Sequence, residues 1–203
     1  MAFWEQEGSG NNWAYGYNYH GKRVSSRIIE LLRKQLEKCD IVDGIMVYQS
    51  LAGGTGSGVG SRLLQQIRES FPKTTIMSSV VLPRISGEVI LQFYNSVFSL
   101  STLYDECDGV FVFQNDLVKD ICQKIYSIKN PDFNDLNHIL SNQISSLMFP
   151  MVKNYGEFFY ARDKKIFPLQ NCGENLCRYR MKKLLGLKYV PQVIGFRVIE
   201  LDA

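Results

Sequence analysis

The sequence predicts an α/β fold in which a parallel sheet carries helices on both faces, and three observations predict it. Apolar segments of strand length alternate along the chain with segments whose apolar residues recur at helical spacing. A glycine-rich stretch, 52–58, connects one such strand to the next helix. The 203 residues are 45% hydrophobic, which is enough for a sizeable core. Alternation of this kind is typical of parallel sheets, because each connection lays a helix across a sheet face.

The first predicted element is a helix over 25–39, which has one apolar face and Ser25 or Ser26 as its N-cap. A strand over 45–48 then enters the glycine-rich stretch, and the helix after that stretch ends at Pro72. The same alternation repeats further along. It predicts strands over 76–82 and 109–113, helices over 88–104, 115–128 and 134–149, and a short strand over 189–196.

Charge, hydropathy and cysteine content exclude several classes of protein. The 23 basic and 20 acidic residues are spread along the chain, so we expect no nucleic-acid partner. The absence of a membrane-length apolar run or a signal segment predicts a cytoplasmic protein with no membrane partner. Cys172 and Cys177 have the spacing of half a zinc site, but His20 and His138 are the only histidines. We therefore expect free thiols and no metal site.

The glycine-rich stretch predicts a loop that binds an anion. Its glycines lie between a strand and a helix, where backbone N–H groups approach an anion closely and a side chain would block that approach. The positive end of the helix dipole adds attraction, and Thr55 and Ser57 offer hydroxyl donors. A P-loop is excluded, because no lysine lies between Lys38 and Lys73. A dinucleotide fingerprint and a glycine-rich turn without a ligand remain as alternatives.

Three further features suit a nucleotide. A second polar loop over 8–12 offers backbone donors and two amides, and Asn115 follows a predicted strand at the edge where open α/β sheets bind ligands. Asn137 lies four residues after Phe133, and an amide suits the edge of a purine while an aromatic ring stacks on its face. Taken singly, Asn115 also fits a helix N-cap, and Phe133 fits a hydrophobic staple.

The sequence from Gly8 to Pro150 resembles the tubulin superfamily in the order and spacing of its motifs. Residues 8–14 look like the tubulin loop G-[AS]-G-N-N-W-A, and residues 52–58 look like the signature [GA]-G-G-T-G-S-G. Tyr94, Asn95 and Ser96 resemble the P-Y-N-[AS] segment at the start of the helix after the ribose loop. The resemblance implies a Rossmann-like nucleotide-binding domain that takes GTP.

The resemblance also implies roles for individual residues of the site. Asn115 and Asn137 inherit the asparagines that read guanine, and Phe133 replaces the usual stacking tyrosine. Magnesium is expected with the phosphates, but the acidic residues that position it would lie upstream of residue 1. The residues that inherit phosphate contacts are Gly8, Ser9, Gly10, Asn11, Ser50, Ala52, Gly53, Gly54, Thr55, Gly56, Ser57 and Gly58.

Within the superfamily, the segments that resemble the δ-tubulin branch are 8–17, 20–21, 37–40, 87–92 and 140–150. This resemblance implies a role at centrioles and basal bodies, with other tubulin subunits or microtubule components as partners. We expect residues 1–150 to form the nucleotide-binding domain, incomplete at its N-terminus. We expect residues 151–203 to form the partial, divergent start of an intermediate domain, in which 182–191 resembles the opening strand. A polar glycine loop almost at the start and a short C-terminal remainder predict missing sequence before residue 1 and after residue 203.

No catalytic acid is assigned in this chain. In tubulins, hydrolysis depends on an acidic residue from the next subunit, and here Glu157 and Asp163 stand in the corresponding stretch without the expected pattern. Three functions follow as hypotheses. GTP is a structural ligand and switch in a cytoskeletal protein, or the chain is an autonomous enzyme, or it is a truncated product that binds no nucleotide.

Overall fold

The structure is a computed structural model that describes residues 3–4, 6–83, 90–148, 168–179 and 181–187. Its strands form one parallel four-stranded sheet in the order β1-β2-β3-β4. The α/β fold predicted from the sequence is therefore confirmed. The strands are β1 (Gly44–Ser50), β2 (Thr75–Leu82), β3 (Gly109–Gln114) and β4 (Leu184–Gly186).

The helices cover both faces of this sheet. Two short π-helical segments, Gly16–Gly21 and Thr55–Val59, lead into α2 and α3. The helices are α1 (Trp13–Tyr15), α2 (Lys22–Leu36), α3 (Gly60–Ser70), α4 (Gln92–Glu106), α5 (Asn115–Lys124), α6 (Phe133–Met148) and α7 (Pro168–Leu176).

Successive residues of the central strands alternate between two cores. Ile76 and Val80 of β2 pack among α2, α3 and α4, whereas Met77 of the same strand packs with residues of α6 and α7 on the other face. This alternation follows from the pleat of a strand, which points neighbouring side chains to opposite faces. Because both faces are covered, the residues of β2 from 76 to 80 are all buried.

The first helix differs from the prediction. The helix predicted over 25–39 is α2, which runs from Lys22 to Leu36, and α1 and the first π-helical segment precede it without a break. The Asn12 side chain caps α1 by accepting hydrogen bonds from Ala14 N at 2.9 Å and Tyr15 N at 3.4 Å. Ser25, predicted as the cap, instead lies inside the helix and donates to Lys22 O at 3.4 Å. The predicted 115–128 helix ends early, at Lys124.

The C-terminal part adds α7, which was not predicted, and β4, which lies within the 182–191 segment that resembles the opening strand of the intermediate domain. The Asp43 carboxylate accepts hydrogen bonds from Leu169 N at 2.8 Å and Gln170 N at 3.2 Å, so it caps the start of α7. β4 extends the sheet by pairing with Val110–Val112 of β3. The predicted 189–196 strand, Glu157 and Asp163 lie outside the described residues, and the division of the chain at residue 150 stays a prediction.

Candidate nucleotide site

The site lies at the carboxyl edge of the sheet. β1 ends at Ser50 opposite Val81 of β2, and Leu82 lies opposite Gln114, the last residue of β3. The glycine-rich loop follows β1 directly and α5 follows β3 directly, so both begin at this edge. Open α/β sheets bind ligands outside the carboxyl ends of their strands.

The first loop, 8–12, is a tight turn. Gly10 has φ +55° and Asn11 has φ +52°, and Asn12 N donates to Ser9 O at 3.0 Å. Two consecutive residues in the left-handed region make this a type I′ turn, for which glycine and asparagine are the suitable residues. Ser9 is buried, whereas Gly10 and Asn11 are exposed at the tip. The turn therefore holds its tip open to a ligand.

The two glycine loops are in direct contact. Thr55 Oγ1 donates to Ser9 Oγ at 3.2 Å. A Cβ on Gly54 would lie 2.6 Å from Asn12 N and 2.8 Å from Ser9 O, which are distances that no real side chain tolerates. The glycine at 54 is thus required by the approach of the first loop, and not only by the approach of an anion.

Gly58 repeats this close approach one turn later. A Cβ there would overlap Trp13 O and lie 2.8 Å from Tyr17 N. The two π-helical segments therefore pack backbone against backbone. Gly53 is different, since a Cβ there would meet only Asn11 Oδ1 at 3.5 Å. Packing between the loops therefore explains the glycines at 54 and 58. The sequence pattern had predicted that these glycines are needed for the approach of a ligand.

The hydroxyl groups of the second loop are not equivalent. Thr55 is exposed and lies at the start of the helical segment that leads into α3, where the helix dipole favours an anion. Ser57 is fully buried, and its Oγ donates to Gly53 O. Its hydroxyl, predicted as a donor to the anion, is thus engaged inside the protein. Ser50 is exposed, and its Oγ accepts from Ala52 N at 3.3 Å.

Asn95 joins the two loops, a role that sequence reasoning missed. Its Nδ2 donates to Asn11 O and to Ala52 O, both at 2.8 Å, and its Oδ1 accepts from Trp13 N at 3.0 Å. The residue is 3% exposed in the first turns of α4. Its place in a family-like segment was visible, but its partners lie up to 84 residues away in the chain.

The residues predicted to read the base lie on α5 and α6. Asn115 is the first residue of α5 and half-buried, and Gln114 holds the N-cap position, so Asn115 does not cap the helix. Phe133 is 70% exposed, which does not fit a hydrophobic staple. Asn137 is exposed on α6. α5 and α6 pack together through Val118, Cys122, Leu136 and Ile139.

A charged cap stands at the start of α6, next to Phe133. The Asp132 carboxylate accepts hydrogen bonds from Asp135 N at 2.9 Å and Asn134 N at 2.8 Å. These backbone donors favour the ionised form and lower the pKa of Asp132. The cap fixes the first turn of α6, which carries the aromatic ring predicted to stack on the base.

Three further observations concern the cysteines, metal binding and membrane-spanning helices. All five cysteines have free thiols, and Cys39 alone among them is exposed. Within the described ranges, no group of three or more His, Cys, Asp or Glu residues is arranged to hold a metal ion. No helix in this part of the chain is both long and apolar enough to cross a membrane.

Comparisons with known proteins agree with the motifs. Residues 1–123 match the Tubulin/FtsZ family, GTPase domain. The tubulin delta chain of Canis lupus familiaris is 40% identical over 192 residues, which are 95% of this chain and 42% of the relative. The tubulin delta chain of Homo sapiens is 37% identical over the same shares of the two chains. The tubulin beta-3 chain of Zea mays is 36% identical over 143 residues, 70% of this chain and 32% of the relative.

The chain thus spans less than half of the length of these relatives. The family match includes both glycine loops, Asn95, Asn115 and the first three strands of the sheet. It covers more than half of the chain, and the parallel sheet with its two contacting loops has the architecture that the match implies. The chain belongs to the Tubulin/FtsZ family, and tubulin delta chains are among its relatives.

Proposed function

We propose that this chain binds GTP at the carboxyl edge of its sheet and uses the nucleotide as a structural ligand and switch. The phosphates lie against the 8–12 turn and the 52–58 loop, and Asn115 and Asn137 read the guanine while Phe133 stacks on it. The observation that carries the proposal is the contact between the two loops, which joins an exposed turn tip to the start of a helix. A helix start and a turn of exposed backbone suit a phosphate group.

The residues present fit a triphosphate without a lysine. Neither 8–12 nor 50–58 contains a charged side chain, so the donors are backbone N–H groups, hydroxyls and asparagine amides. Neutral donors leave part of the phosphate charge uncompensated. Magnesium bound to the phosphates supplies that compensation when GTP is present.

The same composition favours a structural ligand over an autonomous enzyme. Hydrolysis needs a group that positions or deprotonates water near the terminal phosphate. The two loops contain glycine, alanine, leucine, serine, threonine and asparagine, none of which is a general base near neutral pH. In our proposal, hydrolysis requires a group from a neighbouring subunit.

The proposed setting is cytoskeletal: a δ-tubulin-like protein of the cytoplasm that acts at centrioles, basal bodies or cilia with other tubulin subunits or microtubule components. An uncharged, exposed helix face supports contact with another subunit. Phe93, Tyr94, Val97 and Phe98 of α4 are 51% to 67% exposed, and 90–104 contains no charged residue.

Val97→Asp is expected to abolish binding to purified tubulin in a sedimentation assay, whereas Glu30→Gln on α2 leaves it unchanged.

Guanine preference tests the proposal. We expect GTP to bind this chain at least tenfold more tightly than ATP in calorimetric titrations with magnesium present. Asn137→Asp removes an amide donor from the base site and is expected to weaken GTP binding roughly tenfold. Asn142→Asp makes the same change elsewhere on α6 and serves as the matched control. Equal affinity for ATP and GTP, or no binding of either, would contradict the proposed function.

A further inference from the structure

The Asn95 amide uses its bonding groups on three separate backbone positions. Nδ2 donates to one carbonyl in each glycine loop, Asn11 O and Ala52 O, and both distances are 2.8 Å. Oδ1 accepts from Trp13 N at 3.0 Å, at the start of α1. The side chain therefore spans both loops and the beginning of the helix that follows the first one.

Neighbouring side chains also form hydrogen bonds in the region where the two loops meet. Ser96 Oγ, one residue along α4, shares its hydrogen between Gln92 O of the same helix at 2.7 Å and Leu51 O at 3.3 Å. Trp13 Nε1 donates to Ser61 Oγ at 3.2 Å, and Ser61 Oγ donates to Ser57 O at 2.6 Å. These bonds join α1 to α3, α3 to the second loop, and α4 to the residue that precedes the second loop, but Asn95 alone among these groups bonds to both loops.

We infer that Asn95 is a positioning residue, which sets the spacing of the two glycine loops so that both engage the phosphates of one nucleotide. The inference rests on the proposed GTP binding. Phosphate contacts from backbone N–H groups depend on donor–acceptor distances of about 2.7–3.2 Å, and small displacements of a donor weaken them steeply. Within the two loops Asn95 bonds to carbonyl oxygens and to no N–H group, and N–H groups are the donors that a phosphate needs.

Few other side chains could replace the asparagine at position 95 and make the same three hydrogen bonds. Aspartate has the same shape, but it lacks the donors for Asn11 O and Ala52 O and places a negative charge against both carbonyls. Serine is too short to span the gap. Ser99, one turn further along α4, is equally buried, and its Oγ has no hydrogen-bond partner among the described residues. Ser99→Ala is thus a matched change of a buried polar group on the same helix that touches neither loop.

The test compares GTP with guanosine, which has the base and ribose but no phosphate. Affinities of both ligands are measured for the whole 203-residue chain by calorimetry and ligand-observed NMR. We expect Asn95→Asp to weaken GTP binding roughly ten- to a hundredfold, and to change guanosine binding less than about threefold. Ser99→Ala leaves both affinities unchanged. Circular dichroism of each variant reports whether it is folded.

The outcomes separate this inference from the proposed function. Wild-type protein that binds neither ligand overturns the proposed function and this inference with it. Wild-type protein that binds GTP, with an Asn95→Asp variant that loses GTP and guanosine to the same degree, indicates general destabilisation and overturns the positioning role. If Asn95→Asp does not fold, Asn95→Ala, which removes the same three bonds without adding a charge, provides the measurement. It is expected to weaken GTP binding roughly tenfold and guanosine binding less than about threefold, and an unchanged ratio of the two affinities overturns the inference.

Discussion

Gly58→Ala tests the backbone contact between the two π-helical segments. A methyl group at this position overlaps Trp13 O and lies 2.8 Å from Tyr17 N and 3.0 Å from Gly16 Cα. Ordinary contacts between such atoms are about 3.5–4.0 Å, so relief of the closest contact would require the first segment to move by more than about 1 Å. All three neighbours are backbone atoms, which cannot rotate away as a side chain does.

The free-energy change has two opposing parts. Overpacking of this kind costs about 1–3 kcal/mol, and replacing glycine by alanine in a helical segment recovers about 0.5–1 kcal/mol. We therefore expect Gly58→Ala to lower the free energy of unfolding by about 1–2 kcal/mol. With a urea dependence of about 1–3 kcal/mol/M, the unfolding midpoint should fall by roughly 0.5–1 M.

Gly53→Ala is the matched control in the same loop. Its methyl group would meet only Asn11 Oδ1 at 3.5 Å, so we expect the free energy of unfolding to change by less than about 0.5 kcal/mol. Both variants are unfolded in urea and followed by circular dichroism without nucleotide. Equal midpoints for the two variants would refute the close approach of the segments.

Three other predictions concern stability and reactivity. Arg68→Lys should lower the free energy of unfolding by about 1–3 kcal/mol, because the Arg68 guanidinium donates to Glu106 O at 2.7 and 2.9 Å and to Asp108 at 2.8 Å. Arg33→Lys, at an exposed position, is the control. Asp132→Ala should destabilise the protein at pH 7 in urea unfolding. The difference from wild type should shrink as the pH falls through the lowered pKa of Asp132, since protonation removes the same charged cap, and a constant difference would refute this reasoning. Ellman's reagent should react with Cys39 alone in native protein, because the other four cysteines are buried and burial raises the pKa of Cys107 to about 12. Rapid reaction of the Cys39→Ser variant would contradict the described burial.

The sequence predicted well those strands that are buried on both faces of the sheet. The predicted strands over 76–82 and 109–113 each extend by only one residue in the structure, because largely apolar runs without charged residues are typical of strands covered on both faces. The start of the first helix was missed, because Gly16 and Gly21 and the polar residues between them interrupt the helical pattern. β4 lies within the segment where the resemblance predicted a strand, but its three-residue extent depends on pairing with β3 and not on its own pattern.

The candidate site was predictable in composition but not in its contacts. Both glycine loops were recognised from their residues, and the structure brings them together through Ser9, Gly54 and Thr55. The roles of Asn95 and Ser57 depend on which carbonyl each side chain reaches. A linear pattern does not contain that information, because the same residue types serve equally well as donors to a ligand or to the protein itself.

The bonds of Asn95 also set an order of events during synthesis. Its bond to Asn11 O joins residues 84 positions apart, and its bond to Ala52 O joins residues 43 positions apart. Both glycine loops leave the ribosome well before α4, and long-range contacts of this kind form only after the intervening chain is available. A nascent chain that has not yet produced α4 therefore has both loops and the residues of their direct Ser9–Thr55 contact, but it lacks the side chain that bonds to both loop backbones.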